Sequence, residues 1–426
     1  MAVVCAALRA ADAGSLVRAA LSDTGVRRSM RSAAAIDLVA VGKAARAMLT
    51  ALVDSPERPP LRHIVGVSSQ PQEASSAGTR WYCADHPVPD ARSVTAARAV
   101  LEIAASERDR ELLVLLLSGG ASALMALPAA GISLRDKRQT SERLLQDGAE
   151  VHALNAVRKH LSAIKGGQLA AAAGGSVLTL AVSDVVGDDV SSIGSGPTAP
   201  DSSTFAEALE VLEEHGGRCA YPRAVVARLT DGAAGRIGET PKPGDPRLAR
   251  SRSLVIGGLH TALAGARAAA ESRGYLVHVI DEPVLGRARA AAPGLIQVAL
   301  RAIRGRPGPH CVLAGGETTV RVSGTGTGGR NQECALAMAD WIGALGPAAV
   351  AASVGTDGVD GPTDAAGGLV DSTTLTRAEV AGIGSPTQHL DDNNSYAFFD
   401  ALGDVIRTGP TSTNVGDLQI IMVDQP

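Results

Sequence analysis

One run of six aliphatic residues, Leu112 to Leu117 in LLVLLL, constrains the fold more than any other feature of the chain. Side chains alternate between the faces of a strand, so a strand with no polar position must be covered on both sides. The run ends at Ser118-Gly119-Gly120-Ala121-Ser122, where glycine frees the backbone to turn sharply into a helix. Buried strand, glycine turn and helix together form the repeating unit of a parallel α/β sheet.

The same succession recurs along the chain. Residues 36–41 read as a strand, with Gly42-Lys43 opening a helix that runs through Leu52. Strands are expected at 63–67 and at 176–182, the latter ending in Ser183-Asp184, with helical pieces at 155–161 and 166–173 between them. The stretch 235–250, containing ETPKPGDPR, breaks the periodicity and reads as a linker. Beyond it the alternation restarts with a strand at 253–256 and an alanine-rich helix at 261–272. Further strands are expected at 275–280, 311–313, 318–322, 348–354 and 418–423, and a helix at 331–342. A chain of 426 residues exceeds one ordinary core. The expectation is two α/β domains, 1–240 and 250–426, with the active site in the cleft between them.

Composition removes several classes of function. Hydrophobic residues make up 45% but aromatics only 2%, so cores are built from Ala, Val and Leu and no aromatic platform is available for stacking bases. A net charge of -4 carries no basic footprint, which argues against a nucleic-acid partner. Five cysteines without a CxxC pair fit a reducing, cytoplasmic setting. Arg9, Asp12 and Arg18 interrupt the apolar N-terminus, against a signal peptide, and no membrane-length apolar run occurs.

Four turns at expected strand ends offer chemistry, because open α/β sheets bind ligands there. Lys43 in VGKAA places a cation at a helix N-terminus, suited to an oxyanion. The amides of Gly119 to Ser122, with the hydroxyls of Ser118 and Ser122, can cradle a carboxylate or phosphate. In VSDVVGDD, Asp184 can accept a hydroxyl proton or hold a cation, while Asp188 or Asp189 reads first as a turn cap. In TTVRVSGTGTGGRNQE, Gly324, Gly326 and Gly329 match GxGxxG formally, but Arg330 at the helix start favours an anion-binding loop over a dinucleotide site. A fifth feature is the loop 355–368, GTDGVDGPTDAAGG, whose Asp357, Asp360 and Asp364 offer hard oxygen ligands to a cation or polyol. His86 in ADHPVPD reads as structural.

These turns, in this order, resemble the glycerate kinase family whose C-terminal half is called the MOFRL domain. The likeness runs nearly end to end through VAVGKAARAM, DHPVPD, LLSGGASALMALP, NAVRKHLSAIKGGQLA, SDVVGDD, IGSGPT, ETPKPGD, GGETTVRV, GGRNQE, GTDGVDGPTDAAG and TGPTSTNVGDL. It implies a Rossmann-like N-terminal α/β/α domain with a parallel sheet, a C-terminal α/β MOFRL domain, and ATP-dependent phosphorylation of D-glycerate, generally at the 2-hydroxyl, with Mg2+. Lys43 and Arg330 match the positions the family uses for catalysis. Departures are Ala153, where an acid is usual, and Arg287, where a glutamate is frequent.

On that resemblance, Lys43 and Arg330 neutralise the moving phosphoryl group and fix the substrate carboxylate, Arg330 through a bidentate fork. Ser118, Gly119, Gly120, Ser122, Asn155, Arg158 and Lys165 bind substrate or phosphate, and Asp184 or Asp189 orients and deprotonates the attacking hydroxyl. Gly326, Gly328, Gly329, Thr356, Asp357 and Gly358 line the nucleotide, with Asp357, Asp360 and Asp364 holding Mg2+. Three other readings stay open: a hydroxypyruvate reductase using NAD(P)H, a kinase for a larger sugar acid such as a tetronate, and a non-catalytic metabolite-binding protein. The oligomeric state is open too, a homodimer included.

Overall fold

The aliphatic run is the spine of a six-stranded sheet. In the computed structural model, which describes residues 1–56, 60–71, 78–106 and 108–425, the chain divides into two units. One is Ala13–Ile256; the other joins Met1–Asp12 to Gly257–Pro426. The first carries strands β1 (Ala35–Val41), β2 (Leu61–Ser68), β3 (Thr79–Cys83), β4 (Glu111–Leu117), β5 (Ser176–Val182) and β6 (Ser251–Gly257). Their order across the sheet is β3-β2-β1-β4-β5-β6, and β1 pairs in parallel with both β2 and β4. Residues Leu112 to Leu117 of β4 are all buried, as an uninterrupted apolar strand at the middle of a sheet must be. One face packs Val39, Val41, Leu113, Leu115 and Leu117 against Ala96, Ala97 and Val100 of the helix Ala91–Ser106. The alanines let that helix lie close to the sheet, compensating for the scarcity of large aromatic side chains.

Strand order reverses between β1 and β4, so the chain leaves these two strands in opposite directions and opens a crevice beyond their carboxyl ends. The glycine turns at 42–43 and 118–120 lie there. β6, expected to start the second domain, is instead the edge strand beside β5. The Pro/Gly-rich stretch before it returns the chain to the same sheet, and the Val177 amide donates to the Arg250 carbonyl to begin the pairing.

The second unit holds β7 (Leu276–Val279), β8 (Val284–Arg287), β9 (Gly308–Thr319), β10 (Ala349–Gly355), β11 (Gly367–Asp371), β12 (Val405–Ile406) and β13 (Asp417–Gln425). They form a seven-stranded mixed sheet in the order β12-β11-β10-β13-β9-β7, with β8 also on β9. β9, β13, β10 and β11 pair antiparallel, so the acidic loop 355–368 bends back as the connection of a β10–β11 hairpin. The residues expected as separate strands at 311–313 and 318–322 fall largely on the single strand β9. Residues Met1–Asp12 join this unit through the helix Ala2–Ala10, which approaches Leu259–Glu271 so closely that a Cβ on Gly265 would meet Ala10 Cβ at 2.4 Å. Among the described residues no helix is long and apolar enough to cross a membrane.

Candidate active site

At the switch point of the first sheet the turns after β1 and β4 are stitched together. The Lys43 amide donates to the Gly119 carbonyl (2.9 Å), and the Ser118 amide donates to the Val41 carbonyl (3.0 Å). The Ser118 hydroxyl accepts from the Ala44 amide (3.2 Å) and donates to the Val41 carbonyl (3.3 Å). Fully buried, Ser118 therefore fastens the turns and does not face a ligand, contrary to its expected role. Gly42 is obligatory: its φ is +128°, and a Cβ there would lie 2.1 Å from Ser118 Oγ. Gly120, at φ +83°, is flanked by His86 and Lys43, whose Cδ2 and Cγ would stand 3.0 and 3.5 Å from an added Cβ. No described residue accepts the backbone amides of Gly119 and Gly120.

Beside this turn lies a pocket of about 310 Å³, at the small end of ligand sites, walled by His86, Gly120, Ser122, Lys137, Arg158 and Lys165. Lys165 is buried and donates to Ser122 Oγ (3.0 Å) and to the Gly194 carbonyl (3.1 Å). Ser122 Oγ lies 2.9 Å from Ser195 Oγ, which donates to Asn155 Oδ1 (3.0 Å). The chain of contacts brings together Ser122, Asn155 and Lys165, and Arg158 shares the pocket. Ser195 holds a left-handed φ of +62° between two glycines that do the same, a strained turn of the kind that persists at ligand sites.

The electrostatics of the pocket are lopsided. Burial, then Lys137 and Arg158, hold Lys165 well below the usual lysine value. Burial also lowers Arg158, and burial with Arg158 and Arg228 brings Lys137 down to about 7. The one carboxylate on the wall, Glu142, is solvent-exposed, and among the described residues no ion pair joins it to these cations. Taking an unpaired ammonium from water costs several kcal/mol, so a site like this is built around an anion that arrives later. Lys137 and Ser195 were missed in the sequence. A lysine in a polar helix carries no signal of burial, whereas the two glycines around the serine in IGSGPT are a signal that could have found the turn.

Of the expected carboxylates, Asp184 is half-buried just past β5. Asp189 instead caps its own turn, accepting from the Ser191 amide (2.9 Å), Ser191 Oγ (2.6 Å) and Ser192 Oγ (2.8 Å). With its oxygens so occupied it is a poor base for a substrate hydroxyl.

In the second unit the expected anion site is already filled by the protein. Arg330 opens the helix Arg330–Met338, and its Nε and Nη2 donate to the buried carboxylate of Asp417 at 2.8 and 3.0 Å. Nη1 reaches Glu317 at 3.0 Å. The bidentate fork expected to seize a substrate carboxylate is thus engaged by β13. Asp360, expected to ligate a metal, accepts the amides of Asn331 (3.0 Å) and Gln332 (2.8 Å) and caps this helix. Burial raises its carboxyl against the pull of those amides. Asp364 pairs at the surface with Tyr396 (2.7 Å) and Arg407 (2.9 Å). Asp357 Oδ1 accepts the Val359 amide at 3.1 Å. The three aspartates therefore serve different partners, and among the described residues no group of three potential ligands converges on a metal position.

The glycine loop is occupied as well. The amides of Ser323 and Gly324 donate to Asn393 Oδ1 (2.8 and 2.9 Å), that of Thr325 to Asp392 Oδ1 (2.8 Å), and that of Gly326 to the Asp392 carbonyl (2.9 Å). A Cβ on Gly324 or Gly326 would strike Asp392 or Asn394 at 2.3 Å, on Gly328 Ser395 Oγ at 2.2 Å, and on Gly329 the Asp360 carboxylate at 2.3 Å. These glycines, expected to line a nucleotide, admit the segment 392–395 and the Asp360 cap. Thr356 is fully buried and accepts the Val415 amide (2.8 Å), while a Cβ on Gly358 would lie 2.0 Å from the Gly409 carbonyl. Both tie the acidic loop to the stretch before β13.

Comparison with known proteins supplies the context. A family model described as "Domain of unknown function (DUF4147)" matches residues 1–230, and one described as "MOFRL family" matches residues 310–417. A glycerate 2-kinase of Pyrococcus horikoshii is 38% identical over 80% of this chain and 77% of its own length. A protein of Agrobacterium vitis bearing a hydroxypyruvate reductase name is 40% identical over 80% of this chain and 76% of its own. The crystal structure of a glycerate kinase from Thermotoga maritima superposes with a TM-score of 0.84, at 34% identity, covering 99% of this chain and 97% of that one.

Proposed function

This chain belongs to the glycerate kinase family that carries a MOFRL domain, and from that premise we propose that it transfers a phosphoryl group from ATP to the 2-hydroxyl of D-glycerate, releasing ADP. The observation that carries this reading is the cationic pocket beside the Lys43 and Gly119-Gly120 turns, sized for a small acid and furnished with buried charges that have no carboxylate partner among the described residues. Phosphoryl transfer needs little covalent help from a protein; it needs positioning and charge opposite the moving group. Lys43 faces the phosphoryl charge, the Gly119 and Gly120 amides hold a second anionic oxygen, and Asp184 takes the proton of the attacking hydroxyl. Arg330 is no part of this step, because its Nε and Nη2 are bound to Asp417 and its Nη1 to Glu317. Mg2+ is commonly held by one or two carboxylates together with nucleotide phosphates. With Asp360 and Asp364 engaged elsewhere, the acidic loop does not fit as its seat, and no step is routed through the ion.

The hydroxypyruvate reductase reading, whose name one relative bears, loses its support in the sequence motif, since the amides of the GxGxxG loop are taken by Asp392 and Asn393. A coupled assay of ADP release over a panel of hydroxy acids, D-glycerate and tetronates among them, tests the activity, and phosphorus NMR of the product assigns the esterified oxygen. ADP release with D-glycerate is expected. Hydroxypyruvate-dependent NADH oxidation without any ADP release would overturn the proposal.

A further inference from the structure

Lys137 occupies a position normally given to a core residue. In the helix Leu134–Gln146 the buried positions are Lys137, Thr140 and Leu144, one stripe at helical spacing, and Lys137 is 6% exposed. Its Nζ has no hydrogen-bond partner among the described residues, although it sits in the wall of the 310 Å³ pocket. The groups facing it are cationic: Arg158 from the helix Val151–His160, Arg228 from the helix Arg223–Ala233, and Lys165 from the turn that follows the first of these. On its own helix stand Arg138 and the exposed Glu142, and His86 comes from the loop after β3.

We propose that Lys137, with Arg158 and Lys165, seats the carboxylate of the acceptor acid, which makes Lys137 a specificity-determining residue for small hydroxy acids. This rests on the glycerate kinase reading above and assigns a part of the pocket within it. An entering carboxylate provides the acceptor that the buried nitrogen lacks, and the two remaining cations share the negative charge. Its negative charge also favours the ammonium over the amine. Burial and the neighbouring arginines leave Lys137 of the empty pocket at about 7. Above pH 7 the empty site therefore holds mostly the neutral amine, and binding takes up a proton. The share of the affinity that Lys137 supplies is fully developed below pH 7 and falls as pH rises above it, by at most about tenfold per unit.

Calorimetric titration of the full chain with D-glycerate tests this at pH 6.5 and 8.5, in two buffers of different protonation enthalpy, with ADP titrated separately. The wild type is expected to bind D-glycerate more tightly at pH 6.5 and to take up protons at pH 8.5, that of Lys137 among them. Lys137→Met removes the charge while filling the same buried volume. It is expected to weaken D-glycerate by about tenfold or more, to lower proton uptake by about one proton, and to leave ADP affinity unchanged. Lys137→Arg, permanently charged, restores affinity without the part of the pH dependence that Lys137 supplies. Unchanged D-glycerate affinity and proton uptake in a Lys137→Met protein that still phosphorylates D-glycerate would overturn this inference and leave the kinase reading standing. Loss of ADP affinity in place of D-glycerate affinity overturns it too, by putting nucleotide phosphates in the pocket. A wild type that neither binds nor phosphorylates D-glycerate would remove both.

Discussion

The two glycine-rich turns that look alike as anion sites differ in whether their polar atoms already have partners. At 324–330 the amides are accepted by residues 392–393 and the arginine by Asp417. At 118–122 two glycine amides have no described acceptor, and the adjoining pocket holds a buried lysine with no hydrogen-bond partner among the described residues. A satisfied network resists a ligand, because each contact offered to it must first be broken. An unsatisfied one costs stability until a ligand arrives, and such groups persist chiefly at functional sites. The first cluster is scaffold by this criterion and the second is a waiting site, although both are written in glycine, serine and a cation.

The sharpest way to break that distinction is Asp417→Ala. It leaves Arg330 without its bidentate partner and leaves Asn331 Nδ2, which donates to the same carboxylate at 2.9 Å, with only its longer contact to Asp360 at 3.4 Å. Removing one member of such a pair is expected to cost about 3 kcal/mol of stability, seen as an earlier urea or thermal transition. An unmoved transition with lost activity would make the cluster a ligand site. Lys43→Ala runs the other way. Its side chain is exposed, so the unfolding transition should stay in place while kcat/KM falls by about 100-fold to 1,000-fold, the weight of one charge-stabilising donor. Near-normal turnover would remove Lys43 from the phosphoryl group.

Much of this contrast lies outside the reach of local sequence patterns. The run 112–117 and its glycine turn were legible because an unbroken aliphatic stretch admits one environment and a Ser-Gly-Gly turn one kind of exit. Gly120 and Ser122 were picked out from that turn, Asn155, Arg158 and Lys165 only through the family resemblance, and the fold gathers all five around one pocket. The partners of the second turn were not legible: Asn393 meets Gly324 across 69 positions and Asp417 meets Arg330 across 87. Nothing in a GxGxxG spacing reports whether another segment has already taken its amides. Asp360 looked like a metal ligand because a helix cap is recognised locally, three residues before an acid or amide, and this one arrives from 29 positions away. Lys137 was hidden by its surroundings, since LRDKRQTSERLLQ has the composition of an exposed helix. Edge strand β3, with no fully buried residue, lacks the alternation that reveals strands.

The finest test of the contrast is Ser195→Gly, where stability and activity should part. Ser195 takes φ +62° without being glycine, a conformation that costs a side-chain-bearing residue about 1 kcal/mol. Glycine relieves that cost but removes the hydroxyl through which Ser122 and Asn155 are joined, a loss of about 1 kcal/mol for a buried hydrogen bond. The two terms offset, so the unfolding midpoint should shift little in either direction. Lys165, however, would then be held only by Ser122, no longer fixed by Ser195, and by the Gly194 carbonyl. Its nitrogen should wander in the pocket, lowering kcat/KM by about tenfold through positioning alone. A variant that melts much earlier would place Ser195 with the scaffold, on the same side of the comparison as Asp417. One that keeps full activity would show that the pocket tolerates a loose Lys165, and that the anion is gripped by Lys137 and Arg158 without it.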